Sequence, residues 1–125
     1  MPDLSRPERV SEALVAMLDA GDVTDVMSLY EDASLFVNVS GSTRESGILT
    51  AFQDLVDAGD TLRLNRSAVF ETGDIALVHW AWTVTRGDGS TVDGVSAEVL
   101  RRQPNGDWKF VIDNSDGSAV VADTA

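Results

Sequence analysis

The chain has 125 residues, the usual size of one domain, and 43% of them are hydrophobic, which is enough to form a buried core. Its 21 acidic and 9 basic residues give a formal net charge of −12, a balance that disfavours binding to nucleic acid or to an anionic membrane. Because cysteine is absent, disulfides, a thiolate nucleophile and a cysteine-ligated zinc site are excluded.

The sequence also bears on location and domain number. Its start, MPDLSRPERV, lacks the apolar core of a signal peptide, and no apolar run approaches the roughly 20 residues of a membrane span. We therefore expect a cytoplasmic protein that does not act on membranes, folded as a single domain over residues 1–125.

Helical patterns come first in the chain. Ser5 and Glu8 have the spacing of a capping box, and apolar residues at helical spacing predict a helix over residues 6–20 that Gly21 ends. Asp22 is a candidate cap for a second, shorter helix that ends at Tyr30.

A strand and a third helix follow. Residues 34–39, SLFVNV, favour a strand, and the polar residues 40–47, SGSTRESG, predict a loop. Apolar residues from Ile48 to Val56 then predict a helix that Gly59 closes.

From residue 61 onward the pattern is that of strands. Four strands at hairpin spacing are predicted over residues 61–70, 75–85, 91–100 and 107–113. With the earlier strand they form one sheet that helices cover on one face, which is an α+β layer fold. Residues 117–125, GSAVVADTA, predict a weakly ordered tail.

The order of these elements resembles the NTF2-like superfamily over about residues 8–116. The resemblance rests on LDAGD (18–22), on LYEDASLFVNVSG (29–41) and above all on EVLRRQPNGDWKFVIDN (98–114). The chain is most similar to the SnoaL-like and ketosteroid-isomerase-like branch, in particular to small bacterial domains grouped as DUF4440 or SgcJ-like. This resemblance implies a cone in which three N-terminal helices pack on a curved antiparallel or mixed sheet that encloses a cavity. It does not imply one activity, because the branch contains isomerases, cyclases, hydrolases and proteins that only bind.

Steroid isomerases of the superfamily offer a pattern of three catalytic positions. An Asp on the first strand moves the proton, while a Tyr on helix one and an acid on a later strand donate hydrogen bonds to the enolate. In this sequence the pattern puts Asn38 at the base position, Leu14 at the tyrosine position and Glu98 at the third. Asparagine has no titrating proton acceptor near neutral pH, so the steroid-isomerase mechanism is not expected.

Glu98 and Asp113 are the candidate catalytic acids. Glu98 either faces the cavity, where desolvation raises its pKa, or faces solvent or an arginine. Asp113 either joins it or caps the end of the last strand. If QPNG (103–106) is a four-residue loop, the two acids share a face. If PNG is a three-residue loop with a bulge at Gly106, they point to opposite faces.

Several residues are candidates for ligand binding. Trp80 and Trp82 lie two apart on one strand and share a face, where they form either a flat wall for a ring-containing ligand or ordinary packing. Tyr30 reaches either a ligand or the surface with its hydroxyl. The other predicted ligand-binding residues are Asn38, Leu14 and Phe52. His79 alternates to the other face of the strand, which is typical of a structural histidine.

Three functions fit these features. The first is a cofactor-free isomerase, cyclase or hydratase that acts on a small apolar carbonyl compound. The second is a noncatalytic protein that binds a small hydrophobic molecule, and the third is an association module that dimerises through its sheet. We expect a small hydrophobic ligand, a homodimer, and neither a cofactor nor a metal, since no zinc-protease, serine-hydrolase or nucleotide motif occurs.

Overall fold

A seven-stranded mixed sheet with helices packed on it forms the structure, a computed structural model that describes residues 2–121. The α+β class and the three N-terminal helices are confirmed. The helices are α1 (Pro7–Ala20), a 3₁₀ helix (Val23–Leu29), α2 (Ser46–Asp57) and a C-terminal 3₁₀ helix (Gly117–Val121). The strands are β1 (Tyr30–Asn38), β2 (Gly41–Thr43), β3 (Thr61–Thr72), β4 (Ile75–Thr85), β5 (Thr91–Val95), β6 (Ala97–Arg102) and β7 (Trp108–Asn114).

Helix α1 has nearly its predicted length but a different start. The predicted capping box is wrong, because Ser5 donates to Asp3 and no side chain caps the helix at Arg6. Pro7 begins the helix instead. Its fixed φ suits the first turn, and the N–H that proline lacks would have no acceptor within the helix at this position. Gly21 ends it as predicted, in the left-handed conformation at φ 78°.

The segment after α1 differs from the prediction in ways that affect the site. The second helix is a 3₁₀ helix without a side-chain cap from Asp22, and it ends at Leu29. Tyr30 is therefore the first residue of β1 rather than the end of a helix. The predicted loop over residues 40–47 contains the short strand β2, which pairs with β1.

The sheet order is β2-β1-β7-β6-β4-β3, and β5 also pairs with β4. Strands β1 and β7 run parallel, whereas the other pairs are antiparallel. Residues 91–100, predicted as one strand, form β5 and β6 with a break at Ser96. The first residues of the predicted tail form a 3₁₀ helix, and residues 122–125 lie outside the described residues.

The β6–β7 hairpin contains two registers. At the turn, Gln103 donates to the Asp107 carbonyl, so PNG is the three-residue loop that its turn residues favour. A register shift then follows, because Leu100 lies opposite Phe110 whereas Val99 lies opposite Ile112. This bulge at Val111 reverses the facing of the residues beyond it. The four-residue loop is therefore wrong. The three-residue loop is confirmed, but the opposite facing of Glu98 and Asp113 expected from it is wrong, because the bulge lies between the turn and the acids.

The core lies between the helices and the covered face of the sheet. Its largest fully buried side chains include Trp108, Phe110, Leu29 and Ile48. Among residues 2–121, no helix combines the length and the hydropathy needed to cross a membrane.

Candidate functional site

A cavity of about 250 Å³ lies between α1, α2 and the covered face of the sheet. A cavity of about 150 Å³ is large enough to hold benzene, so this one has room for a molecule with a ring and substituents. Its lining is mainly apolar and comprises Ser11, Leu14, Phe36, Asn38, Ala51, Phe52, Leu55, Leu62, Leu64, Trp80, Trp82, Val84, Ser96, Glu98, Asp113, Ser115 and Asp116.

The cavity brings together most of the residues singled out from the sequence. Both candidate acids line it, together with Asn38, Trp80, Trp82, Leu14 and Phe52. Tyr30 is the exception, since it is 3% exposed and does not line this cavity, and its hydroxyl contacts Asp113 instead of a ligand site. Whether the lining residues bind a ligand stays a prediction.

Glu98 lies directly opposite Asp113, because the bulge at Val111 turns both side chains to the same face. Glu98 is 5% exposed and accepts one hydrogen bond at each carboxyl oxygen. The Ser11 hydroxyl of α1 donates to Oε1 at 2.7 Å, and the Ser96 hydroxyl donates to Oε2 at 3.0 Å. Ser96 lies between β5 and β6 and in turn accepts from the Trp80 backbone N–H, so the Glu98 carboxyl is fixed by α1 and, through Ser96, by β4.

Asp113 is held by a single strong hydrogen bond. The Tyr30 hydroxyl donates to its Oδ2 at 2.6 Å, and the tyrosine ring packs on Phe110 with centroids 4.8 Å apart. Within residues 2–121, no donor contacts the other carboxyl oxygen, and Asp113 lines the cavity. The free oxygen is thus available to a molecule in the cavity.

The two acids have strongly raised pKa values. Burial, followed by repulsion from Asp113, raises the pKa of Glu98 from 4.5 to about 8. Burial also raises the pKa of Asp113 from 3.8 to about 6, although the hydrogen bond from Tyr30 opposes the rise. The two acids titrate as a coupled pair, and burial together with their mutual repulsion disfavours the state in which both are ionised. Burial and the Asp113 charge raise the pKa of Tyr30 well above 10, so its hydroxyl remains a donor.

Trp80 and Trp82 form the indole wall of the cavity on β4. The Trp82 N–H donates to the Ser115 carbonyl at 2.7 Å, whereas the buried Trp80 N–H has no acceptor among residues 2–121. Gly94 lies opposite Trp82 on β5, and a Cβ at this position would overlap the indole ring. The position of Trp82 therefore depends on a glycine in the neighbouring strand.

Two polar residues of the lining, Asn38 and Asp116, accept hydrogen bonds from backbone N–H groups. The Asn38 amide oxygen accepts from the Ser40 N–H, and Asp116 Oδ2 accepts from the Val39 N–H at 2.8 Å. Asn38 and Asp116 are half-buried, whereas Glu98 and Asp113 are buried. The cavity thus combines a buried pair of acids with two half-buried polar residues.

Sequence reasoning missed Ser11, Ser96 and Asp116. Ser11 falls on the apolar face of α1 between Val10 and Leu14, and a hydroxyl at a buried helix position is a signal of a polar partner. Ser96 interrupts a strand-like run, which marks the break between β5 and β6.

His79 does not belong to this site. Its Nδ1 lies 2.8 Å from the Ser96 carbonyl oxygen, and the residue is outside the cavity lining. Over the described range 2–121, His, Cys, Asp and Glu side chains form no group of three or more that could hold a metal ion.

Comparison with solved structures identifies the fold as NTF2-like. An NTF2-like protein from Streptomyces avermitilis, a proposed dehydratase, superposes with a TM-score of 0.73 at 21% identity, covering 92% of this chain and 95% of that one. A proposed ketosteroid isomerase from Shewanella frigidimarina gives a TM-score of 0.72 at 17% identity, covering 84% and 89%. A protein of unknown function with a cystatin-like fold from Nostoc punctiforme gives 0.71 at 14% identity, covering 87% and 86%.

The family assignment is narrower than the fold. The family model of the SnoaL-like domain matches residues 11–111, and the chain belongs to this family. No curated protein matches the chain.

Proposed function

We propose that the protein is a cofactor-free acid–base enzyme that moves a proton on a small, largely apolar carbonyl compound. The observation that carries the proposal is the direct pairing of Glu98 and Asp113, both buried and both facing the cavity. Burying two carboxyl groups without a cationic partner costs stability. A pair of acids held in different protonation states is the arrangement that supplies both an acid and a base at one pH.

The two acids take different roles in this proposal. The free oxygen of Asp113, ionised at neutral pH, accepts the proton as the C–H bond next to the substrate carbonyl breaks. Protonated Glu98 donates to the carbonyl oxygen, on which negative charge develops as the enol forms. Asp113 then returns its proton to a carbon conjugated with the enol while the enol oxygen gives its proton back to Glu98, which completes an isomerisation without a cofactor.

Other residues position these groups. Tyr30 holds one oxygen of Asp113 and leaves the other free, while Ser11 and Ser96 fix the Glu98 carboxyl. The indole wall and the apolar lining give a ring-containing substrate a dry site, in which the electrostatic effects of the acids are strong.

The comparisons support proton transfer as the reaction class. One structural neighbour is a proposed isomerase and another a proposed dehydratase. Because Asn38 occupies the base position of the steroid isomerases, the base in our proposal is Asp113, on a different strand. Asn38 also favours the alternative, a noncatalytic binder of a small hydrophobic molecule, because asparagine has no titrating proton acceptor near neutral pH.

Exchange of α-hydrogens with solvent tests the proposal. A panel of small neutral ketones, such as cyclohexanone and acetophenone, is incubated with the protein in D₂O, and deuterium uptake is measured by NMR. We expect deuterium uptake to be faster with the native chain than without protein. In Asp113→Asn the acceleration should fall by about 100-fold or more. Asp74→Asn, which changes an exposed acid outside the cavity, is the matched control. Binding without exchange would favour the binder, and acceleration that survives in Asp113→Asn would overturn the proposal.

A further inference from the structure

We infer that the cavity selects ligands by charge: it accepts uncharged small molecules and rejects those that carry a carboxylate or phosphate group. This inference deepens the proposed function and rests on it only for the carbonyl group. Within the class of carbonyl compounds, it restricts the substrate to ketones and aldehydes that have no acid group.

The titratable residues in the cavity lining are all acidic. Glu98, Asp113 and Asp116 line it, and none of the nine basic residues of the chain, which all fall within residues 2–121, does so. Arg101 and Arg102 instead pair with Glu31 and Asp74 on the outside of the fold. An anionic ligand would therefore enter a site that has negative charge and no positive partner.

Asp116 adds a further acidic group to the lining. It is half-buried, and the hydrogen bond from the Val39 N–H fixes its carboxyl group beside Asn38 and Ser115 in the lining. A ligand beside Asp113 thus shares the cavity with a second fixed carboxylate. The apolar walls strengthen the repulsion between these carboxylates and an anionic ligand, because they reduce the effective dielectric constant.

Three probes of similar size separate charge from shape. Acetophenone is neutral, benzoate is anionic and benzylammonium is cationic. Their binding is measured at neutral pH from shifts of the tryptophan indole N–H signals in ¹⁵N-labelled protein. We expect benzoate to bind about 10-fold or more weakly than acetophenone. We expect benzylammonium to bind more tightly than benzoate.

The variant Asp116→Asn tests the origin of the selectivity. Its amide oxygen can still accept from the Val39 N–H, so the local structure is retained. The ratio of benzoate to acetophenone dissociation constants should fall by about threefold or more, since one charge has been removed. Asp74→Asn is the control, because it removes an exposed carboxylate outside the cavity, and the ratio should stay unchanged in it.

Equal binding of benzoate and acetophenone would overturn the inference, and so would the absence of binding by all three probes. An unchanged ratio in Asp116→Asn would overturn the role of Asp116. The outcomes are distinct from those of the exchange experiment. Charge selectivity without deuterium uptake would refute the enzyme and keep the inference, whereas uptake without charge selectivity would do the reverse.

Discussion

Glu98 on β6 lies directly opposite Asp113 on β7, and the bulge at Val111 is what brings the two buried carboxyl groups to the same face. Two carboxyl groups on directly opposed residues in an apolar environment cannot both ionise without a large energetic cost. Their pairing links the local geometry of one hairpin to the protonation state of the whole cavity, and most of the predictions below depend on it.

The Tyr30 hydroxyl should control the acidity of Asp113. Tyr30→Phe removes the 2.6 Å hydrogen bond and keeps the ring that packs on Phe110. Because this bond lowers the pKa of Asp113, the variant should have a higher Asp113 pKa. Loss of a buried bond to a charged group should also reduce the free energy of unfolding by about 1 to 3 kcal/mol. A carboxyl titration by NMR and urea denaturation measure the two effects, and an unchanged or lower pKa would contradict the assignment.

The stability of the protein should fall as the pH rises from about 4 to about 8. The pKa values of Glu98 and Asp113 are higher in the folded state than their ordinary values of 4.5 and 3.8, so the folded state binds more protons across this interval. Their contribution is therefore complete at low pH and is lost as the pH passes the folded-state values of about 6 and 8.

Glu98→Gln isolates this effect from the background repulsion of a chain with net charge −12. Glutamine can still hydrogen bond to Ser11 and Ser96 but does not titrate. At pH 8 the variant should be more stable than the native chain by about 1 to 3 kcal/mol, and its stability should depend less on pH. Urea denaturation across the interval checks this expectation, which parallel profiles of the two proteins would refute.

Gly94 should be essential for the position of Trp82. Gly94→Ala introduces a Cβ that overlaps the indole ring, and we expect it to lower the free energy of unfolding by about 1 to 3 kcal/mol. In a Trp82→Leu background the same change should cost much less, because the overlapping atoms are gone. A double-mutant cycle in urea measures the coupling, and equal costs in both backgrounds would show that the glycine has another role.

We propose that the outer face of the sheet forms a homodimer. Phe70 is 62% exposed and lies opposite Leu77, and Val95 and Ile112 are further exposed apolar residues of the same face. Light scattering at micromolar concentration should give twice the chain mass of 13.4 kDa. Phe70→Glu should give the monomer mass, whereas Val39→Glu, at an exposed position on the β1–β2 turn, should remain dimeric. A monomeric native chain would refute the dimer.

Local signals in the sequence predicted much of the fold. Gly21 ended α1 as expected, and Pro104, Asn105 and Gly106 formed the three-residue turn. The bulge at Val111 was not predictable, because the consecutive apolar residues Phe110, Val111 and Ile112 conceal where the alternation changes phase. Tyr30 was misplaced for a related reason, since a 3₁₀ helix that runs directly into a strand leaves no turn residue between them.

A carboxyl titration is the measurement that tests the central claim most directly. Side-chain ¹³C signals of Glu98 and Asp113 can be followed against pH and assigned with the Glu98→Gln and Asp113→Asn variants. We expect both pKa values to exceed their ordinary values of 4.5 and 3.8, with Glu98 still protonated at neutral pH and Asp113 ionised. Two acids that titrate independently near their ordinary values would contradict the buried pair and the acid–base enzyme built on it.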